Sequence, residues 1–135
     1  MKKLKKVVKT QSKKHIKLSK RVNSVIHVCG RKFQIGWGPG DMGGQFHTVS
    51  PITGGGLIVV GDGPHDEYYQ LATLIHEILE AILAIKERRI RESDEKIIFV
   101  MDHDQYTDAI LELTRSLLDT GLIHVKESGD DAITK

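Results

Sequence analysis

A histidine and two glutamates within residues 76–80 have a spacing that could support metal chemistry. The segment reads His-Glu-Ile-Leu-Glu and departs from the zinc-binding motif His-Glu-x-x-His only at Glu80. On a helix, His76 and Glu80 lie one turn apart on the same face, so an imidazole and a carboxylate could hold one ion. In His-Glu-x-x-His enzymes the glutamate after the first histidine activates the attacking water, a role that falls here to Glu77. The pattern predicts Zn²⁺ bound by His76 and Glu80, with Glu77 as general base.

A catalytic site built from two histidines and one glutamate needs a second histidine, which this helix does not supply. The candidate is His103, which follows an apolar run and opens the next helix. Asp102 and Asp104 either orient its imidazole or cap that helix. The other histidines are placed less suitably, in a strand, in loops or near the C-terminus: His27, His47, His65 and His124.

The competing interpretation of residues 76–80 is a plain amphipathic helix whose polar strip faces water. Apolar residues surround the motif, and they leave only a narrow polar strip: Leu74, Ile75, Ile78, Leu79, Ile82 and Leu83. Unpaired acids in an apolar environment are costly. Either the strip is exposed or a cation compensates the two carboxylates.

The segment LIHEILEAI, with IIFVMDHDQYTDAILELTRSLL after a short basic turn, resembles the small zinc-metallopeptidase-like proteins of tailed phages and prophages. Those proteins are similar to minimal zincins of the gluzincin kind. The resemblance covers roughly residues 55–120. It implies a zincin-like fold with His76, Glu80 and His103 on the metal, Glu77 as general base and a peptide or protein as substrate. The departure from the commoner pattern is Glu80 in place of the second histidine.

The elements that must position these residues predict an α+β fold. Alternating β-branched residues predict a small, mostly antiparallel sheet over residues 23–61. An apolar stripe at helical spacing predicts a helix over about 66–90, and a second helix follows over about 104–120 with Gly121 as its stop. Between them we expect a turn at 91–96 and a strand at 97–101.

A glycine-rich segment at residues 38–43, GPGDMG, matches the Gly-x-Gly-x-x-Gly pattern of dinucleotide-binding folds. That pattern must open a helix whose N-terminus holds the pyrophosphate. Here a segment with a proline and more glycines follows instead. We therefore interpret it as a loop that borders the cleft of the metal site.

Charge divides the chain unevenly. Residues 1–40 contain twelve Lys or Arg and no acid, although the net charge of the 135 residues is only +2. Residues 1–21 are predicted to form a flexible basic arm, 22–125 a single domain and 126–135 a polar tail. The arm could bind nucleic acid or an acidic surface through its lysines, notably Lys2, Lys3, Lys5, Lys6, Lys13 and Lys14. It carries no aromatic residue for base stacking, so no sequence preference is expected.

These features leave two classes of function open. One is a zinc metallopeptidase-like enzyme, and the other is a non-enzymatic virion-associated or nucleic-acid-binding protein whose arm carries the function. The single cysteine, Cys29, indicates a reducing compartment. No apolar run has the length expected of a bilayer span, and no signal-peptide core follows the basic N-terminus. We expect a protein without a membrane partner, in the cytoplasm of the cell or phage host, or in the virion.

Overall fold

The computed structural model describes residues 16–39, 43–49, 55–62 and 67–126. These residues form a four-stranded sheet, a two-stranded hairpin and three helices. In chain order the elements are α1 (Leu18–Arg21), β1 (Val25–Val28), β2 (Arg31–Gly38), β3 (Gly44–His47), β4 (Gly56–Gly61), α2 (Glu67–Ile85), β5 (Arg89–Ser93), β6 (Lys96–Phe99) and α3 (His103–Asp119). The predicted α+β class is confirmed.

The four-stranded sheet has the order β1-β2-β4-β3. β1 and β2 form an antiparallel hairpin, closed by Cys29 and Gly30 with φ angles of 51° and 75°. Two consecutive left-handed residues are typical of the two-residue turn that matches strand twist. β3 is also antiparallel to β4, whereas the central pair, β2 and β4, is parallel. The sheet is therefore mostly antiparallel, as predicted, and β3 forms one of its edges.

Alternation along the strands places the apolar core on one face of this sheet. The buried strand residues are Ile26, Val28, Phe33, Ile35, Ile58 and Val60. α2 packs against β3, β4 and β1, while α3 packs against β1 and α2. The result is a two-layer arrangement in which α2 is the core helix.

α2 is 19 residues long and apolar enough to cross a membrane by length and composition alone. The sequence-based expectation that no run has this length is therefore wrong. The helix nevertheless buries Leu74, Ile78 and Ile82 against the sheet, and 39% of its apolar window is buried within the protein. A core helix of a soluble protein has these properties, and that is how α2 packs.

α2 ends at Ile85, five residues earlier than predicted. The Glu87 N–H donates to the Ala84 carbonyl and the Arg88 N–H to the Leu83 carbonyl. This is a Schellman cap, with Glu87 in the left-handed position at φ 58° that glycine usually occupies. No glycine marks this end of the helix. The sequence pattern therefore predicts a helix to residue 90 and a turn after it, where the structure has β5.

The described end of the predicted basic arm, residues 16–21, contacts the core. Leu18 in α1 is 2% exposed and belongs to the core, as does Val22. Arg21 forms an ion pair with Glu67 at 2.8 Å. The last residues of the basic segment are thus part of the domain, while residues 1–15 and the tail from 127 lie outside the described residues.

Candidate metal centre

α2 brings His76, Glu77 and Glu80 into one cluster. The distance from His76 Nε2 to Glu80 Oε2 is 3.3 Å, and the distance from the same nitrogen to Glu77 Oε1 is 4.0 Å. One ligand atom from each of the three residues lies within 4.8 Å of the other two. The i, i+4 spacing on one helix face produces the first distance, as the sequence predicted.

Glu77 is buried at 6% exposure, although it is a carboxylate. It accepts no hydrogen bond from any residue that the structure describes, and His76 is its ion-pair partner. Burial raises the pKa of the Glu77 carboxyl, and the negative charge of Glu80 raises it further, while His76 and Arg89 oppose the shift. A buried carboxyl with a raised pKa can hold or release a proton nearer to neutral pH.

The edge strand β3 covers Glu77 through a residue without a side chain. A Cβ placed on Gly44 would lie 2.6 Å from Thr73 Cγ2 and 2.8 Å from Glu77 Cγ. Real Cβ atoms do not approach other atoms this closely, so only glycine permits the contact between β3 and α2. This contact removes Glu77 from bulk water and leaves His76 accessible, with 63% of its side chain exposed.

A cavity of about 340 Å³ opens beside the cluster on its β3 side. Its lining residues come from the start of β3 and from one face of α2: Gly43, Gly44, Tyr69, Ala72, Thr73, His76 and Glu77. Gly43, the last residue of the glycine-rich segment 38–43, is among them. The loop leads into β3 rather than a helix, as expected.

Arg89 lies beside Glu80 at this cluster. Its Nε lies 3.7 Å from Glu80 Oε1, and its guanidinium carbon lies 5.2 Å from the centre of the Phe46 ring. Arg89 therefore connects β5 with both α2 and β3. Sequence analysis missed this residue because it placed Arg89 in the last turn of the helix.

His103 is not brought to this cluster. It begins α3 with 91% of its side chain exposed, and its ion-pair partner is the neighbouring Asp104 at 4.0 Å. The predicted approach of His103 to His76 is absent from the structure: α2 and α3 pack against each other, but His103 lies at the exposed start of α3. Asp102 caps α3: its carboxylate accepts from the Gln105 N–H, and the Gln105 side chain accepts from the Asp102 N–H. Of the two roles considered for Asp102, the structure shows the cap.

The remaining predicted residues lie elsewhere. His27 pairs with Asp119 at 3.1 Å, and His47 and His124 are exposed outside the cluster. His65 lies outside the described residues. So do all six lysines proposed to contact nucleic acid, Lys2, Lys3, Lys5, Lys6, Lys13 and Lys14.

No protein-family model matches the chain, and comparisons with curated proteins and with solved structures likewise give no match. Any functional argument therefore depends on the cluster itself.

Proposed function

We propose that this protein is a zinc-dependent, peptidase-like hydrolase in which His76 and Glu80 bind the ion and Glu77 is the general base. The observation that carries this proposal is the 3.3 Å separation of His76 Nε2 and Glu80 Oε2. Two ligand atoms about 2.0–2.1 Å from a tetrahedral zinc ion are themselves about 3.3 Å apart. The side chains thus have the spacing that a shared ion requires.

The burial of Glu77 supports a role in chemistry rather than in solvation. A zinc ion at this site would supply Lewis acidity, which polarises a carbonyl group and acidifies water. Glu77 would take a proton from the attacking water and return it to the leaving amine. Its raised pKa suits both steps, because a carboxylate with a higher pKa accepts a proton more readily near neutral pH.

The edge of β3 that faces away from β4 offers a place for an extended peptide. In the part of the chain that the structure describes, β4 is the one strand paired with β3, and β3 begins beside Glu77 at Gly44. An extended chain can add to such an edge through backbone hydrogen bonds, independently of its sequence. A peptide bound there would pass the His76–Glu77–Glu80 cluster, which favours a peptide or protein as substrate.

The described residues supply two ligands and a base, and no further histidine, cysteine or acid among them joins the cluster. Glu77 could instead serve as a third ligand, which would leave no general base among the three residues of the cluster. Substitution separates the two roles. A base touches water and not the ion, so Glu77→Gln should keep zinc and abolish hydrolysis, whereas loss of zinc would make Glu77 a ligand and reject the peptidase proposal.

The decisive experiment measures zinc content after purification without chelators or a metal-binding tag. Wild type should contain about one zinc per chain, as a single site requires, and Glu80→Gln should lose most of it. Glu112→Gln is the matched control, because Glu112 is also a helix glutamate paired with an arginine and is as exposed as Glu80, at 16% against 17%. Equal zinc in wild type and Glu80→Gln would overturn the proposal.

A second candidate function concerns the excess of positive charge in residues 1–21. A lysine-rich segment gains affinity for nucleic acid by releasing counterions from phosphates, whatever the base sequence. Deleting residues 1–15 should weaken binding to all sequences alike and reduce its salt dependence, without removing Leu18 from the core. Unchanged binding would reject this role. Either function is compatible with a place in the cytoplasm or in a virion.

A further inference from the structure

Arg89 occupies a position that the zinc proposal alone does not explain. Its side chain is only 21% exposed, and its Nε is buried without a hydrogen-bond partner. The guanidinium is held by the Phe46 ring, 5.2 Å from its centre, and by the charge of Glu80 at 3.7 Å. A buried arginine is costly unless a nearby charge compensates it. Glu80 is that charge.

Backbone contacts fix the position of Arg89. The Schellman cap of α2 directs the chain from Arg88 into β5, and the Val100 N–H donates to the Arg88 carbonyl at 2.9 Å. Arg89 then pairs in register with Phe99 on β6. Because these contacts hold the residue on both sides, its side chain approaches Glu80 from a rigid element rather than from a loop.

The two oxygens of Glu80 have different neighbours as a result. Oε1 lies towards Arg89 and Oε2 lies 3.3 Å from His76 Nε2. An arginine that engages one carboxylate oxygen leaves the other for an ion. The charge of the pair also matters, since Glu80 and Arg89 together are neutral, as is the histidine that usually stands at this motif position.

We infer that Arg89 is a positioning residue that makes Glu80 a one-oxygen ligand and thereby favours zinc over larger, oxygen-seeking ions. This inference rests on the proposed function. Zinc takes four ligands in tetrahedral geometry, whereas calcium and manganese take six or more and accept a carboxylate through both oxygens. A Glu80 side chain released from Arg89 would offer both oxygens and suit those ions better.

The test is calorimetric titration of chelator-treated protein with Zn²⁺, Mn²⁺ and Ca²⁺ at one pH and ionic strength. In Arg89→Gln the ratio of zinc to manganese affinity should fall about 10-fold or more, the range typical when a group that orients a ligand is lost. Loss of a positive charge alone would raise both affinities by a common factor and leave the ratio unchanged. Arg91→Gln is the matched control, because Arg91 lies on the same strand and is exposed.

Two further variants keep the test decisive if Arg89→Gln folds poorly. Arg89→Lys retains the charge but not the planar fork, so it should restore the ratio only in part. Phe46→Leu removes the ring beneath the guanidinium and should lower the ratio in the same direction by less. Full restoration by lysine, or an equal ratio in wild type and Arg89→Gln, would overturn the inference while leaving zinc binding intact. Absence of zinc binding by wild type would overturn the proposed function, and this inference with it.

Discussion

Two segments of this protein each carry one histidine and two carboxylates, and only one of them forms a cluster. His76, Glu77 and Glu80 converge on α2, whereas Asp102, His103 and Asp104 at the start of α3 do not. In the α2 group, β3 lies against Glu77 and Arg89 lies beside Glu80. The α3 group faces water, and the side chains of His103 and Asp104 are 91% and 102% exposed.

Potential ligand atoms form a candidate metal site only where neighbouring elements bury them and hold them together. On α2, burial raises the pKa of the Glu77 carboxyl, which lies against Gly44 and accepts no hydrogen bond from the described residues. On α3, the Asp102 carboxylate accepts a hydrogen bond from the Gln105 N–H, which is an ordinary helix cap. The first arrangement holds a buried carboxylate next to a histidine and a second carboxylate, and the second leaves its side chains in water.

The largest expected difference between the two segments is in zinc affinity. His76→Ala should weaken zinc binding by at least about 100-fold, since it removes a ligand rather than an outer partner. His103→Ala should leave it unchanged, because the structure keeps this side chain in solvent. Competition with a chromophoric chelator measures both. An equal loss in the two variants would mean that His103 at the start of α3 also binds the ion, contrary to its exposed position.

Gly44 tests the cover over the α2 cluster. In Gly44→Ala the new methyl group would clash with Thr73 and Glu77, and displacement of β3 should cost about 2 kcal/mol of the free energy of unfolding. Urea denaturation measures this cost. Gly55→Ala is the control, because its methyl group would approach no closer than 3.7 Å to another atom, the Lys32 carbonyl oxygen. Equal stability of the two variants would show that β3 does not press on Glu77.

The sequence predicted most of the fold because regular periodicity marks its main elements. The β1–β2 hairpin, β4 and the two long helices all follow from alternation or from an apolar stripe. The end of α2 could not be predicted in this way, because Glu87 adopts a left-handed conformation that is uncommon for glutamate. The parallel pairing of β2 with β4 is a long-range contact, and strand pattern alone does not specify it.

For the candidate site, the residues on one helix could be predicted from the sequence, but contacts between different helices and strands could not. The spacing of His76 and Glu80 fixes their separation locally, so that part could be predicted. The position of His103 depends on how the β5–β6 hairpin joins the two helices, and Arg89 entered the site only through that hairpin. Gly44 carried no signal beyond being a glycine in a glycine-rich loop.

The pH dependence of stability tests whether burial changes the protonation of Glu77. Because folding raises the pKa of this carboxyl above its ordinary value of about 4.5, the folded state holds its proton more tightly than the unfolded state. Stability conferred by the protonated form is therefore lost as pH rises through the folded pKa. Glu77→Gln should be more stable than wild type by about 1 kcal/mol at pH 8 and should lose this advantage near pH 4.

Thermal denaturation of chelator-treated protein across this pH range measures the effect at Glu77. Glu95→Gln, in the exposed turn between β5 and β6, is the control for the loss of a carboxylate without burial. A Glu77→Gln advantage that is the same at pH 4 and pH 8 would show that the buried carboxyl does not change its protonation on folding.

The smallest effect is expected at the α3 segment, and it should be purely structural. Asp102→Ala removes the cap acceptor of the Gln105 N–H, so the protein should lose about 1 kcal/mol of stability. Asp104→Ala, two residues further on and fully exposed, should cost less, since it removes only a favourable charge at the helix N-terminus. Neither variant should alter zinc affinity, because neither side chain reaches the His76–Glu77–Glu80 cluster. Zinc binding that weakens with Asp102→Ala would assign the start of α3 to the metal centre after all.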